Sequence, residues 1–131
     1  MTLQQRLEKA ADLRSKGYNC AQSVLMVFDD KTGLSPSEAA RLCSALGSGA
    51  GCGELCGVPN AMAIAVGYTF SDNPADKVHA MKTARQLIDI FASGNKGRLR
   101  CADLKGKEGI RPCNDLIAQG IEILHNHFGD C

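Results

Sequence analysis

Seven cysteines are distributed along the 131 residues, and five of them stand at element boundaries or in Gly-rich turns, where a sulfur can be reached, exchanged or ligated. Cys20 follows Gly17-Tyr18-Asn19, so it falls in the first turn of a helix capped by Asn19, where the positive end of the helix dipole favours a thiolate. A small buried residue at a helix junction is the plainer reading of the same position. Cys113 follows Pro112 and opens the last helix on its apolar stripe, which turns its sulfur inward with a dipole behind it. Cys56 lies just ahead of an apolar helix, where glycine amides and a helix N-terminus are expected to lower its pKa. Cys101 is flanked by Arg98 and Arg100, whose charge also favours thiolate. Cys52, four residues before Cys56, is a candidate resolving thiol if the turn between them bends. Cys43 shares an apolar helix face with Ala39 and Leu46 and reads as a core filler, and Cys131 reads as a frayed terminus.

Other residues that carry chemistry elsewhere read as structure here. The run Gly47-Ser48-Gly49-Ala50-Gly51-Cys52-Gly53 resembles a phosphate-binding loop only in its glycine content. A helical segment precedes it where a dinucleotide fingerprint needs a strand, and the phosphate-loop lysine is missing. It is expected to be a connection that lets two backbones pass closely. His125 and His127 point roughly 200° apart on a helix, so one metal site cannot easily use both. They and His79 are expected to be solvated surface residues.

The elements that must position these sulfurs are helices. Apolar residues recur with helical periodicity along most of the chain, no run of alternating β-branched residues stands out, and the expected fold is all-α: a single-domain bundle of five or six helices. A first amphipathic helix covers about 2–16, with Leu3, Leu7 and Ala10 or Ala11 on one side and Arg6 among the polar residues. A second runs from Asn19 to about Phe28, and a third, opened by the capping box Ser35-Pro36-Ser37-Glu38, to about Leu46. Ala61 to Val66 is apolar on every side and marks a central buried helix over 59–70, well short of the ~20 residues of a membrane span. The longest helix runs from Asp72-Asn73-Pro74 to about Ser93, with Val78, Met81, Ile88 and Phe91 as its stripe and Gly94 beyond its end. A polar loop over 94–112 carries Cys101, and a last helix covers 113–128 with Cys113, Ile117, Gly120, Leu124 and Phe128 on one face.

With 15 basic and 14 acidic residues the net charge is +1, which gives no electrostatic footprint for nucleic acid or an anionic membrane. The N-terminus has charge where a signal peptide would have an apolar stretch, so the protein is expected in the cytoplasm. There, clustered cysteines are more often catalytic, redox-sensing or metal-binding than disulfide-bonded. A helical domain with an apolar central helix also has faces through which copies can pair.

The run Gly53-Glu54-Leu55-Cys56-Gly57, the glycines before it, the early Asn19-Cys20-Ala21-Gln22 and the later Cys101 and Cys113 resemble the C_GCAxxG_C_C family of redox-active proteins, from residue 17 to about 120. The resemblance implies that Cys20, Cys56, Cys101 and Cys113 form the site and that their use is redox. The family box Cys-Gly-Ala-x-x-Gly reads here Cys56-Gly57-Val58-Pro59-Asn60-Ala61, so valine stands for the alanine and alanine for the final glycine.

The leading expectation is thiol–disulfide exchange with no cofactor. Cys56 attacks a disulfide or oxidised partner, Cys20 or else Cys52 resolves the mixed disulfide, and Cys101 with Cys113 forms a second dithiol. The same four thiolates could instead ligate one metal or iron–sulfur centre, although no Cys-x-x-Cys pair exists. A scaffold or small-ligand binder is the third reading.

Overall fold

The computed structural model describes residues 1–104 and 113–129. They form helices α1 (Leu3–Ser15), α2 (Cys20–Leu25), α3 (Asp29–Thr32), α4 (Pro36–Cys43), α5 (Gly57–Gly67), α6 (Lys77–Ser93), α7 (Cys101–Leu104) and α8 (Cys113–Phe128). The fold is all-α, and the only extended pairing among the described residues is one antiparallel bridge, Leu55 with Arg100. No helix among them is long and apolar enough to cross a membrane.

Local chemistry fixes the helix starts. Thr2 with Gln5, Asn19 with Gln22 and Ser35 with Glu38 form reciprocal capping boxes that satisfy amides left orphaned at helix N-termini. Gly17 and Gly33 end α1 and α3 in the left-handed region, at φ 98° and 75°. Other ends differ from the sequence pattern. The second helix tightens into a 3₁₀ turn at Met26–Phe28 and continues as α3, and the third stops at Cys43. Gly94 caps α6 with an ordinary φ of −75°, and the left-handed conformation falls on Lys96 and Gly97. Cys101 opens a short helix where a loop was expected. The rest of that expected loop, 105–112, and Cys131 lie outside the described residues.

Helix α2 is the hub, packed against α1, α4, α5 and α8, while α5 packs against α2, α6 and α8. From Cys20 to Phe28 every residue except Gln22 is buried, which makes this the most continuously buried stretch. The buried helix expected over 59–70 starts earlier and emerges sooner. Gly57, Val58, Pro59, Ala61, Met62, Ala65 and Val66 are buried, Ala63 and Ile64 are half-buried, and Gly67 to Thr69 are exposed. On α6 the stripe is rotated from its expected position: Leu87 and Phe91 face the core, whereas Val78 and Met81 are exposed.

Two polar residues expected at the surface are interior. Arg6 is fully buried, because a set of partners receives each part of its guanidinium. It forms a two-pronged ion pair with Asp30 at 2.7 and 2.8 Å, donates to the Val27 carbonyl at 2.5 Å, and donates from Nε to Nδ1 of His125 at 3.2 Å. Its guanidinium also sits 4.3 Å from the Phe28 ring centre. His125 is thereby a buried acceptor that ties α8 to α1, while His79 and His127 are exposed as expected.

The packing around Val58 explains how the altered family box is accommodated. A Cβ on Gly120 of α8 would collide with Cγ1 of Val58. The glycine supplies the room that the valine methyl takes, and α5 and α8 stay in close contact.

Candidate functional site

Each of the four cysteines in the family pattern stands at the N-terminal end of a helix. Cys20 is the first residue of α2, Cys56 is the N-cap of α5, Cys101 opens α7 and Cys113 opens α8. The ends converge, and the four side chains line one small cavity of about 10 Å³, completed by the hydrocarbon of Val58, Leu104 and Leu116. That volume is close to the ~10–15 Å³ needed for a single water, so the four cysteines enclose little free space. Cys20, Cys56 and Cys101 are buried and Cys113 is half-buried, and none of the four is in a disulfide.

Hydrogen bonds outside the cavity hold the sulfurs in place. Cys56 N–H donates to the Leu99 carbonyl at 2.8 Å and Cys101 N–H to the Glu54 carbonyl at 2.7 Å, so the Leu55–Arg100 bridge clamps the two cysteine-bearing segments side by side. On the solvent side the Glu54 carboxylate accepts from Arg100 Nε at 3.2 Å and Nη2 at 3.3 Å. Of the two arginines expected to act on Cys101, Arg100 is thus paired with a carboxylate, which raises its pKa. At the other edge, Asn19 accepts from Gln22 N–H at 2.8 Å and donates to the carbonyls of Cys43 and Ser44 at 3.1 and 3.2 Å. The cap of α2 is thereby tied to the end of α4, which fixes where Cys20 begins.

Gly57 is the contributor that pattern reading passed over. A Cβ there would meet Cys20 Sγ at 2.6 Å and the Leu46 carbonyl at 3.0 Å, so the missing side chain is what lets the Cys20 sulfur lie against the start of α5. A glycine directly after a motif cysteine was the available signal.

The Gly-rich segment forms a wide turn over Gly49–Gly53, preceded by Ser48, and Ser48, Gly49, Ala50, Gly51 and Gly53 all have positive φ. At Gly49, with φ 62°, the place of a Cβ is taken by the Glu54 backbone, so this is the close backbone passage expected of the segment. Cys52 sits exposed on the turn, donates to the Gly49 carbonyl at 3.3 Å, and does not line the cavity. Cys43 is fully buried and also outside the cavity lining, in keeping with a core filler.

The electrostatics of Cys56 reverse the expectation of a lowered pKa. Burial pushes its thiol up to about 12; the Val58 backbone opposes this, and Cys20, Cys101 and Cys113 add to it. Helix-end amides favour a thiolate, yet removing a charge from water costs more than they return. Burial, with a smaller contribution from Cys20, also pushes Cys43 up to about 12. At neutral pH Cys56 is therefore a neutral thiol. An apolar cavity of this kind suits sulfur whose resting forms are uncharged, and thiols and disulfides both are. Among the described residues no three His, Cys, Asp or Glu side chains are arranged to share a metal ion.

No curated protein and no solved structure matches the chain. One family profile does, across residues 18–127, under the description "putative redox-active protein". That span holds Cys20, Cys56, Cys101 and Cys113 and reaches every helix from α2 to α8, so the chain belongs to the C_GCAxxG_C_C family.

Proposed function

We propose that this protein is a thiol–disulfide redox protein whose working sulfurs are Cys20, Cys56, Cys101 and Cys113. The observation that carries the reading is their convergence, from four helix ends, on one cavity otherwise lined by hydrocarbon. Exchange needs a reachable thiolate and a second thiol beside it. Cys113 is half-buried and the other three are buried, so Cys113 attacks and one of the buried thiols resolves. This replaces the attacking role expected for Cys56, whose burial keeps it protonated. Two protein thiols become one disulfide, and the partner disulfide takes up two electrons and two protons. The partner is a thiol or disulfide compound met in the cytoplasm, with no part for nucleic acid or a membrane surface. Cys52, exposed on its turn and outside the cavity lining, has no part in this exchange.

The test is to oxidise the fully reduced protein with a neutral disulfide and map the products by mass after alkylation. The expected product is a disulfide joining two of the four cavity cysteines, with Cys43 still a thiol. Oxidation confined to Cys52, or an undiminished rate in a variant with all four changed to serine, would overturn the reading.

A further inference from the structure

We propose that the groove between α1 and α8 docks a small disulfide bearing a carboxylate, held by Arg14 next to Cys113; the inference rests on the thiol–disulfide reading. Leu7, Ala10, Ile117 and Ala118 line this groove of about 220 Å³, and Arg14 and Asn114 supply its polar groups. Beside it lies a shallower depression of about 410 Å³ that shares Arg14 and Asn114 and adds Gly17 and Tyr18. Cys113 lines the four-cysteine cavity and not the groove, and Asn114, the next residue on α8, joins the groove's polar part to that half-buried cysteine.

Arg14 is the feature that selects the ligand. Its Nε donates to Asn114 Oδ1 at 3.2 Å and its Nη1 to the Tyr18 carbonyl at 3.2 Å. Both acceptors are neutral, so the guanidinium is held in position while its charge is not compensated. Among the described residues no carboxylate forms an ion pair with it. Asp12, on the same helix, is paired with Lys16 at 2.8 Å. A positioned arginine with donors to spare recognises a carboxylate, and the apolar lining accepts the methylene and sulfur part of a small disulfide.

The step balances within the cysteines described. With the carboxylate on Arg14, the Cys113 thiolate attacks one sulfur of R–S–S–R, forming Cys113–S–S–R and releasing RS⁻. A buried cavity thiol then attacks the Cys113 sulfur, closes an internal disulfide and releases the second RS⁻. The proton lost by Cys113 on ionisation and the one lost by the resolving thiol convert the two leaving groups into two RSH.

The experiment measures loss of free thiol from the reduced protein with dithiodiglycolate, which is dianionic, and with hydroxyethyl disulfide, which is neutral, in wild type, Arg14→Gln and Arg14→Lys. Arg14→Gln should lower the ratio of the anionic to the neutral rate by about fivefold, the upper end for a part-exposed charge pair, with the neutral rate unchanged. Arg14→Lys should restore most of the ratio. Raising the salt concentration should compress the wild-type ratio toward that of Arg14→Gln. The unchanged neutral rate shows that the variant is folded. An unaltered ratio in Arg14→Gln, with normal neutral rates, overturns the docking groove and leaves the redox reading standing. If neither disulfide oxidises the cavity cysteines of the wild type, the redox reading falls and the groove with it.

Discussion

Among single residues, environment decides what each cysteine can do more than its place at a helix end does. Cys20, Cys56, Cys101 and Cys113 all begin helices, and dipole arguments alone would make each a nucleophile. Burial reverses that for Cys56, because a helix-end interaction of ~1 kcal/mol is smaller than the cost of desolvating a thiolate. Limited alkylation of the reduced protein at neutral pH should therefore modify the exposed Cys52 first and the half-buried Cys113 next. Cys20, Cys56 and Cys101 should follow, with fully buried Cys43 last. Peptide mapping at successive times reads the order, and Cys56 reacting as fast as Cys52 would show that its thiol is neither buried nor raised. The four candidate positions were legible because the family motif marks them all in the sequence; expected helix starts mark Cys20 and Cys113 as well, whereas the short helix that Cys101 opens was read as loop. The pKa of Cys56 was not legible, since desolvation depends on Val58, Leu104 and Leu116 closing around the sulfurs, and no local pattern contains that.

Helix starts were the most legible elements, because a cap needs only nearby residues, as in the Ser35–Glu38 capping box and the Asn19 N-cap, whose box the structure completes with Gln22. Helix faces were less so. Val78 and Met81 fit a stripe with Phe91 on paper, but α6 turns Leu87 and Phe91 inward and leaves the first two in solvent. Arg6 read as a surface charge because its counter-ion, Asp30, lies 24 residues away on α3 and its other partner, His125, on α8. The contact of α5 with α8 yields a prediction of its own. Gly120→Ala should destabilise the protein by about 1–3 kcal/mol, since the new methyl meets Cγ1 of Val58 in a filled interface. Val58→Ala alone leaves a void and should also destabilise, by about 1 kcal/mol or more. The double variant should lose less than the sum, because alanine at 58 vacates the space that alanine at 120 requires. Denaturant titration of the four proteins measures the coupling, and strict additivity would mean that the two helices do not meet at this point.

At the scale of the whole molecule, the buried thiols and the buried arginine set the pH range of stability from opposite sides. Cys43 and Cys56 have folded pKa values near 12, against about 8.5 for a free thiol. The folded state therefore holds their protons through a range in which the unfolded chain releases them. Their contribution is complete below about pH 8.5 and is lost as pH rises toward 12. On the acid side, the Arg6 guanidinium holds the Asp30 carboxyl below its ordinary range, with burial opposing. That contribution is present above the ordinary carboxylate pKa of about 3.9 and disappears as pH falls through the lowered value. Urea melts of the reduced protein across this range should show a plateau near neutrality with a decline on each flank. Cys43→Ala should flatten the alkaline decline, even if the cavity it leaves lowers the plateau, because the slope reports proton release and the height reports packing. Asp30→Asn should flatten the acid decline and lower the plateau by about 3 kcal/mol, since it leaves the fully buried Arg6 without its counter-ion. An alkaline slope unchanged in Cys43→Ala would mean that this thiol ionises in the folded protein as it does in the unfolded chain.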